Sequence, residues 1–261
     1  MFKKILKSIR FHTRIIFESK IKFPVYSLEK IERIGTTYGG WTIPVNFLDR
    51  SSICYLAGAG EDISFDAGIA EKYKCNVYIF DPTPKAINHF KSFLSCIEKG
   101  EKMPINNSKH EFYEINKGNL KYLHYYDTGL WDKEDIVRFY APSDVKSVSH
   151  SILNLQQTTD YFEAKVDRLS SIMDKLGHTS VDLLKLDIEG AEYKVINSLI
   201  EDKCNIKMIC VEYNEIFNRI DKNYIHRIKN SIDKLLGNGY VIIYIDNTYT
   251  TTFIKCDVLM E

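Results

Sequence analysis

Two hydrophobic patterns alternate along the chain. Short apolar runs bounded by glycine, asparagine or acid read as strands, and longer stretches with apolar positions every three or four residues read as helices. The first clear strand is Ile53–Ala57, followed by helical spacing over residues 63–73. A second run, Asn76–Phe80, ends in Asp81, and Pro82-Thr83-Pro84 opens a helix to about residue 97, with Pro84 tolerated in its first turn. Residues 120–126 read as a third strand, continued by Gly129-Leu130-Trp131; residues 132–135 form a turn and 136–140 return as a hairpin at the ligand edge. Residues 166–176 have amphipathic helical spacing, with Gly177 as C-cap. The uninterrupted run Val181–Leu186 suits a strand buried on both faces of a parallel sheet. Beyond it, Ala191, Val195, Ile196 and Leu199 share one helical face. Ile206–Val211 is the next strand, and a helix over 224–236 is stopped by Gly237 and Gly239. Strands over 240–245 and 250–256 then close the chain about a turn at Asp246-Asn247. Strand–helix alternation of this kind predicts an α/β fold.

The stretch before residue 51 is different. Phe2, Ile5, Leu6 and Ile9 share a helical face ringed by Lys3, Lys4, Lys7, Arg10 and Arg14. Such a helix could lie on an anionic membrane surface as a peripheral contact. The preferred reading is a helix packed on its own domain with a solvated basic side. An irregular segment with Pro24, Gly35, Gly39, Gly40, Trp41 and Pro44 follows, and Gly39-Gly40-Trp41 is either a wall beside a site or an anchored connection. The expected organisation is residues 1–50 as basic helix and connection, and 51–261 as one domain.

Composition narrows the class. Apolar residues make up 44% of the chain, ample for a core, and the formal charge is zero, so no global basic field argues for nucleic acid. The six cysteines contain no Cys-x-x-Cys pair and several fall in apolar runs, as buried reduced thiols of a cytoplasmic protein do. No stretch is long and apolar enough to span a bilayer, and the charged N-terminus does not read as a signal peptide.

Chemistry concentrates at predicted strand ends. Gly58-Ala59-Gly60, then Glu61-Asp62, follow the first strand. Glycines there let the backbone approach a nucleoside, and Asp81, about 20 residues on, can accept from ribose hydroxyls. Ile63 stands where a third glycine would complete the dinucleotide pattern, so the short turn suits a ligand without a pyrophosphate, such as S-adenosylmethionine. A plain strand-to-helix turn with Asp81 as a cap is the structural alternative. Lys185, Asp187, Glu189 and Glu192 interrupt or end the run at 181–186. Helix capping explains Glu189 or Glu192 alone, but not Lys185 and Asp187 within a buried run. Glu192 is expected to be structural. Glu212 is again an acid where a strand leaves the sheet, and His150, in a polar loop, is either a general base or an exposed loop histidine.

Two stretches carry a resemblance. Leu184-Lys185-Leu186-Asp187-Ile188-Glu189-Gly190-Ala191-Glu192 resembles the signature of FkbM-type methyltransferases. Gly58-Ala59-Gly60-Glu61-Asp62-Ile63-Ser64-Phe65-Asp66 with Phe80-Asp81-Pro82-Thr83-Pro84 resembles a subgroup of them, and the likeness runs from about residue 39 to the end. It implies a class I, Rossmann-like α/β fold: a seven-stranded, mostly parallel sheet with an antiparallel last strand and helices on both faces. It also implies S-adenosylmethionine as cofactor and methylation of a hydroxyl, on a saccharide or similar small-molecule or lipid-linked acceptor. Two positions depart from many members. Leu56 replaces an aspartate, so Glu61 or Asp62 is expected to meet the methionine amino group, and Tyr213-Asn214 replace a histidine after Glu212.

The expected division of labour follows. Gly58, Gly60, Glu61, Asp62, Asp81 and Pro82 hold the cofactor; Asp187, Glu189 and Glu212 line the acceptor pocket, and one of them, or His150, takes the proton. The same carboxylates could hold Mg²⁺ as hard oxygen ligands, although no metal is the favoured expectation. An inactive S-adenosylmethionine-binding scaffold and an NAD-dependent oxidoreductase are the competing readings.

Overall fold

The structure is a computed structural model that describes residues 21–142, 150–154, 157–217 and 219–259. The expected basic N-terminal helix and residues 143–149 lie outside the described residues.

The chain first forms a hairpin of β1 (Ile31–Ile34) and β2 (Trp41–Pro44). Then come β3 (Ile53–Ala57), α1 (Ser64–Tyr73), β4 (Asn76–Phe80), α2 (Pro84–Glu98) and β5 (Leu123–Tyr126). An insertion of β6 (Gly129–Trp131), β7 (Asp135–Tyr140) and β8 (Tyr161–Arg168) leads into α3 (Leu169–Leu176). The remainder is β9 (Val181–Leu186), α4 (Glu192–Glu201), β10 (Ile206–Val211), α5 (Tyr224–Gly237), β11 (Tyr240–Ile245) and β12 (Thr251–Lys255).

The main sheet has seven strands in the order β11-β12-β10-β9-β3-β4-β5. β12 alone runs against its neighbours, and the pairs from β10 to β5 are parallel. Alternate side chains feed opposite cores. Cys54, Leu56 and Leu183 join Trp41, Phe65, Ile69, Phe90 and Phe93 on one face. Tyr55, Ala57, Leu184 and Leu186 join Leu169, Ile172, Val195, Ile196 and Ile232 on the other. Burial on both faces is why these strands are continuous apolar runs. It also places Lys185, next to Leu183 in β9, among the apolar residues of the first face.

Residues 21–50 are part of this packing. Ile34, Trp41, Ile43 and Leu48 are core residues, Thr252 donates to the Thr42 carbonyl (2.7 Å), and Tyr26 N–H donates to the Ile242 carbonyl (2.7 Å). The expected division at residue 50 therefore does not separate two packing units among the described residues. No helix among them is long and apolar enough to cross a membrane.

The insertion corrects three expectations. Residues 117–122 form a 3-10 turn, so the third strand begins only at Leu123. Gly129–Trp131 does not continue β5; it pairs in parallel with β8, while Asp135–Tyr140 pairs antiparallel with β8, so β6 and β7 flank β8 instead of forming a hairpin. Residues 166–168 belong to that strand, and the helix begins at Leu169. β8 carries Glu163 and Lys165 on its exposed face and buries only its last positions, so its two-residue period is visible only when charged residues are accepted in the alternation.

At the carboxyl edge of the main sheet, the parallel ladder continues one residue past each strand. Gly58 N–H donates to the Phe80 carbonyl (3.0 Å), Asp81 to Tyr126 (3.1 Å), Asp187 to Ala57 (3.2 Å) and Glu212 to Leu186 (2.9 Å). The strand-exit residues therefore form one hydrogen-bonded row.

Candidate functional site

A cavity of ≈ 410 Å³ opens over that row, within the size range of small-molecule sites. Every candidate residue of the sequence, Gly58, Gly60, Glu61, Asp62, Asp81, Pro82, His150, Asp187, Glu189 and Glu212, lines it. Tyr38, Gly39, Thr83, Leu130, Phe139, Lys185, Asn214 and Phe217 complete much of its wall.

One end is the glycine turn. Gly58 has φ +84°, and a Cβ there would meet the Asp187 carbonyl oxygen at 1.7 Å. The turn is thus in backbone contact with the exit of β9. Asp81 holds it from the other side: Oδ2 accepts from Ala59 N–H (2.9 Å) and Gly60 N–H (3.0 Å), and Oδ1 accepts from Thr83 N–H (2.8 Å). A carboxylate offers about four lone pairs, so Asp81 braces the turn and keeps limited capacity for a ribose. Beside it the buried Thr83 hydroxyl has no hydrogen-bond partner among the described residues and borders the cavity. The two neighbouring acids differ. Asp62 is buried and accepts from Thr36 Oγ1 (2.7 Å), Asn106 Nδ2 (3.0 Å) and Ser64 N–H (3.0 Å), which ties the β1–β2 connection to the turn. Glu61 is exposed at the rim. Gly39 packs so closely on Asp62 that a Cβ would fall 2.6 Å from its carboxyl carbon, whereas Trp41 is buried and tilted against Phe65 (6.5 Å). Wall and anchor are thus adjacent residues of one segment.

The other end is acidic. Asp187 and Glu212 are in hydrogen-bonding contact, and Glu212 is raised well above the ordinary carboxylate range by burial, then by the Asp187 charge and that hydrogen bond, against the opposing pull of Lys185. Two carboxyl groups so placed cannot both be charged without cost. Tyr38 stands at the mouth, its phenol pushed up to about 12 by the walls around its hydroxyl and by Asp187, Glu189, Glu212 and Asp62. Glu189 has φ +55°, and its carbonyl accepts from the Ser151 hydroxyl, which in turn accepts from Leu153 N–H (3.0 Å). Ser151 bridges to Tyr140 of β7, so the insertion is clipped to the Glu189 turn. Ser151→Ala should cost about 1 kcal/mol of unfolding free energy in denaturant titration. Unchanged stability would show that this clip does not hold the turn.

Glu192 faces inward. It is fully buried, and Oε1 accepts from Ile188 N–H (3.0 Å) and Gly190 N–H (3.2 Å), closing the turn that carries Glu189. Burial raises its carboxyl group to about 8, from an ordinary value of 4.5. A folded value above the unfolded one gives stability that is complete below about pH 4.5 and lost as pH rises toward 8. Glu192→Gln should therefore flatten the stability curve between those limits and gain on the order of 4 kcal/mol over the parent at the upper one. Parallel curves for the two proteins would exclude this assignment.

His150 borders the cavity from the insertion side, edge-on to Phe162 (5.3 Å). Among the described residues, no group of three or more histidine, cysteine or carboxylate side chains converges as metal ligands. Lys185 and Tyr38 are among the wall residues to which the sequence assigned no role. A lysine inside a doubly buried strand was the available signal for the first; Tyr38, in an irregular segment, carried none.

The family model of the Methyltransferase FkbM domain matches residues 57–242. No curated protein and no solved structure matches the chain. The matched span takes in the glycine turn, Asp81, the insertion and both acid-bearing exits of β9 and β10. With that continuous span covering most of the chain and all the candidate residues of the cavity, the protein belongs to the FkbM methyltransferase family.

Proposed function

We propose that the protein is an S-adenosylmethionine-dependent O-methyltransferase acting on a hydroxyl of a saccharide or a similar small-molecule or lipid-linked acceptor. The observation that carries this reading is the two-ended cavity, a glycine-rich turn at one end and a carboxyl pair at the other. The residues of the first end fit the cofactor. Gly58 and Gly60 leave backbone exposed to a ligand, Asp81 braces them, and the unpartnered Thr83 hydroxyl is available to a polar ligand atom. The order of strands, with its single antiparallel member, supports the class I Rossmann-like reading of the fold.

The cofactor supplies an electrophilic methyl group on a sulfonium. What the protein must add is alignment and a place for the acceptor's proton, since a sugar hydroxyl is a weak nucleophile. Asp187 stands at the acidic end with Glu212 beside it, and Glu189 and His150 border the same space. Aromatic residues Tyr38, Phe139 and Phe217 give flat apolar surface on which a sugar ring can rest.

Calorimetry with S-adenosylmethionine, followed by transfer of a labelled methyl group to neutral oligosaccharides, tests the reading. Binding and label incorporation into a hydroxyl are expected. No binding ends the proposal. Binding without transfer to any hydroxyl acceptor would leave a cofactor-binding scaffold.

A further inference from the structure

We propose that Lys185 is a positioning residue of this site, joining the cofactor turn to the acceptor end and selecting Asp187 as the carboxylate that takes the acceptor's proton. This rests on the methyltransferase reading above.

Lys185 sits where an apolar residue would pack without cost. In the sheet it lies between Leu56 of β3 and Cys210 of β10, both fully buried, and is itself only 3% exposed. A buried ammonium is unfavourable unless paired. Its partners are functional elements. Nζ donates to the carbonyl of Gly58, lies 3.7 Å from Asp187 Oδ2, and faces the Trp41 ring at 5.8 Å. One side chain thus reaches the cofactor turn, Asp187 and the tryptophan that anchors the β1–β2 segment. The other ionisable groups that feel its charge are Asp66 on α1, buried with an unpartnered Oδ1, Cys210 on β10 and Glu212.

The consequence is a choice between two carboxyl groups. Of the pair, Asp187 is the one within ion-pair reach of the ammonium, which holds that carboxyl group beside the cofactor turn. In the transfer, the acceptor oxygen bonds to the methyl carbon as the carbon–sulfur bond breaks, its electron pair staying on sulfur. The hydroxyl proton passes to Asp187, leaving a neutral thioether product and a neutral methyl ether. The Gly58 contact fixes the turn relative to the same carboxylate.

Lys185→Met and Lys185→Arg test this, with Asp66→Asn as control. Lys185→Met should stay folded by thermal denaturation, since an unbranched apolar chain of similar length fills the site. Its S-adenosylmethionine affinity should fall about tenfold and its kcat about a hundredfold. The acidic limb of its pH–rate profile should move to higher pH, because the carboxyl pair loses the cation whose charge lowers Glu212. Lys185→Arg should restore part of the rate, and Asp66→Asn should leave the limb in place. Unchanged affinity, rate and limb in Lys185→Met, or a limb that moves only with Asp66→Asn, overturns the proposal. If Lys185→Met does not fold, Lys185→Gln decides in its place: a limb and affinity identical to the parent's in that neutral variant count against the proposal. A parent protein that neither binds S-adenosylmethionine nor transfers methyl groups sinks the underlying reading, and this one with it.

Discussion

Gly58→Ala is expected to lose about 4 kcal/mol or more of unfolding free energy, a loss at the extreme for one methyl group. Two costs combine. Alanine at φ +84° carries the left-handed penalty of about 1–2 kcal/mol. The larger part is steric, because the new Cβ would fall 1.7 Å from the Asp187 carbonyl oxygen. That atom cannot yield easily. Its peptide carries the Ile188 N–H, bonded to the buried Glu192 carboxyl, and on the other side Asp187 N–H is bonded to the Ala57 carbonyl at the centre of the sheet. Gly177→Ala provides the internal control: φ is +72°, and nothing lies within 4 Å of its added Cβ. It should show the conformational cost alone. Urea titration of both variants checks the pair, and equal losses would mean that the close approach at Gly58 is not limiting.

The second large effect is catalytic. Asp187→Asn should lower methyl transfer about a thousandfold, the usual range for removing a general base, while S-adenosylmethionine binding stays close to the parent's. The change is isosteric and keeps the backbone contacts to Ala57 and Gly58. It removes the charge that Lys185 faces and that raises Glu212. Single-turnover rates with calorimetry alongside separate the two quantities. Full activity in the variant would remove Asp187 from the proton-transfer step.

What the sequence revealed follows from burial. β3, β4, β9 and β10 are covered on both faces, so their apolar runs stand out and their carboxyl ends can be located to the residue. Locating those ends located Gly58, Asp81, Asp187 and Glu212. β8 lay hidden because only its last turns of the pleat are buried and Glu163 and Lys165 break the run. The β1–β2 hairpin lay hidden because its strands are four residues each and Glu32 and Arg33 interrupt the first. Within the site, residue types were legible but their bonding was not. Asp81 was placed correctly at the edge, yet the claim of Ala59, Gly60 and Thr83 N–H groups on its oxygens depends on how the turn folds back. Lys185 was conspicuous, but its hydrogen-bond partner is a carbonyl of the main chain, which no side-chain pattern announces.

The row of strand exits separates two histories that one pocket would otherwise confound. None of its four hydrogen bonds uses an atom of residues 129–168. The insertion reaches the row from outside, through the Ser151 bond to Glu189 and through the cavity wall of Leu130 and Phe139. The acid-bearing exits are therefore held by the sheet's own ladder, while residues 129–168 add wall to the cavity from outside it.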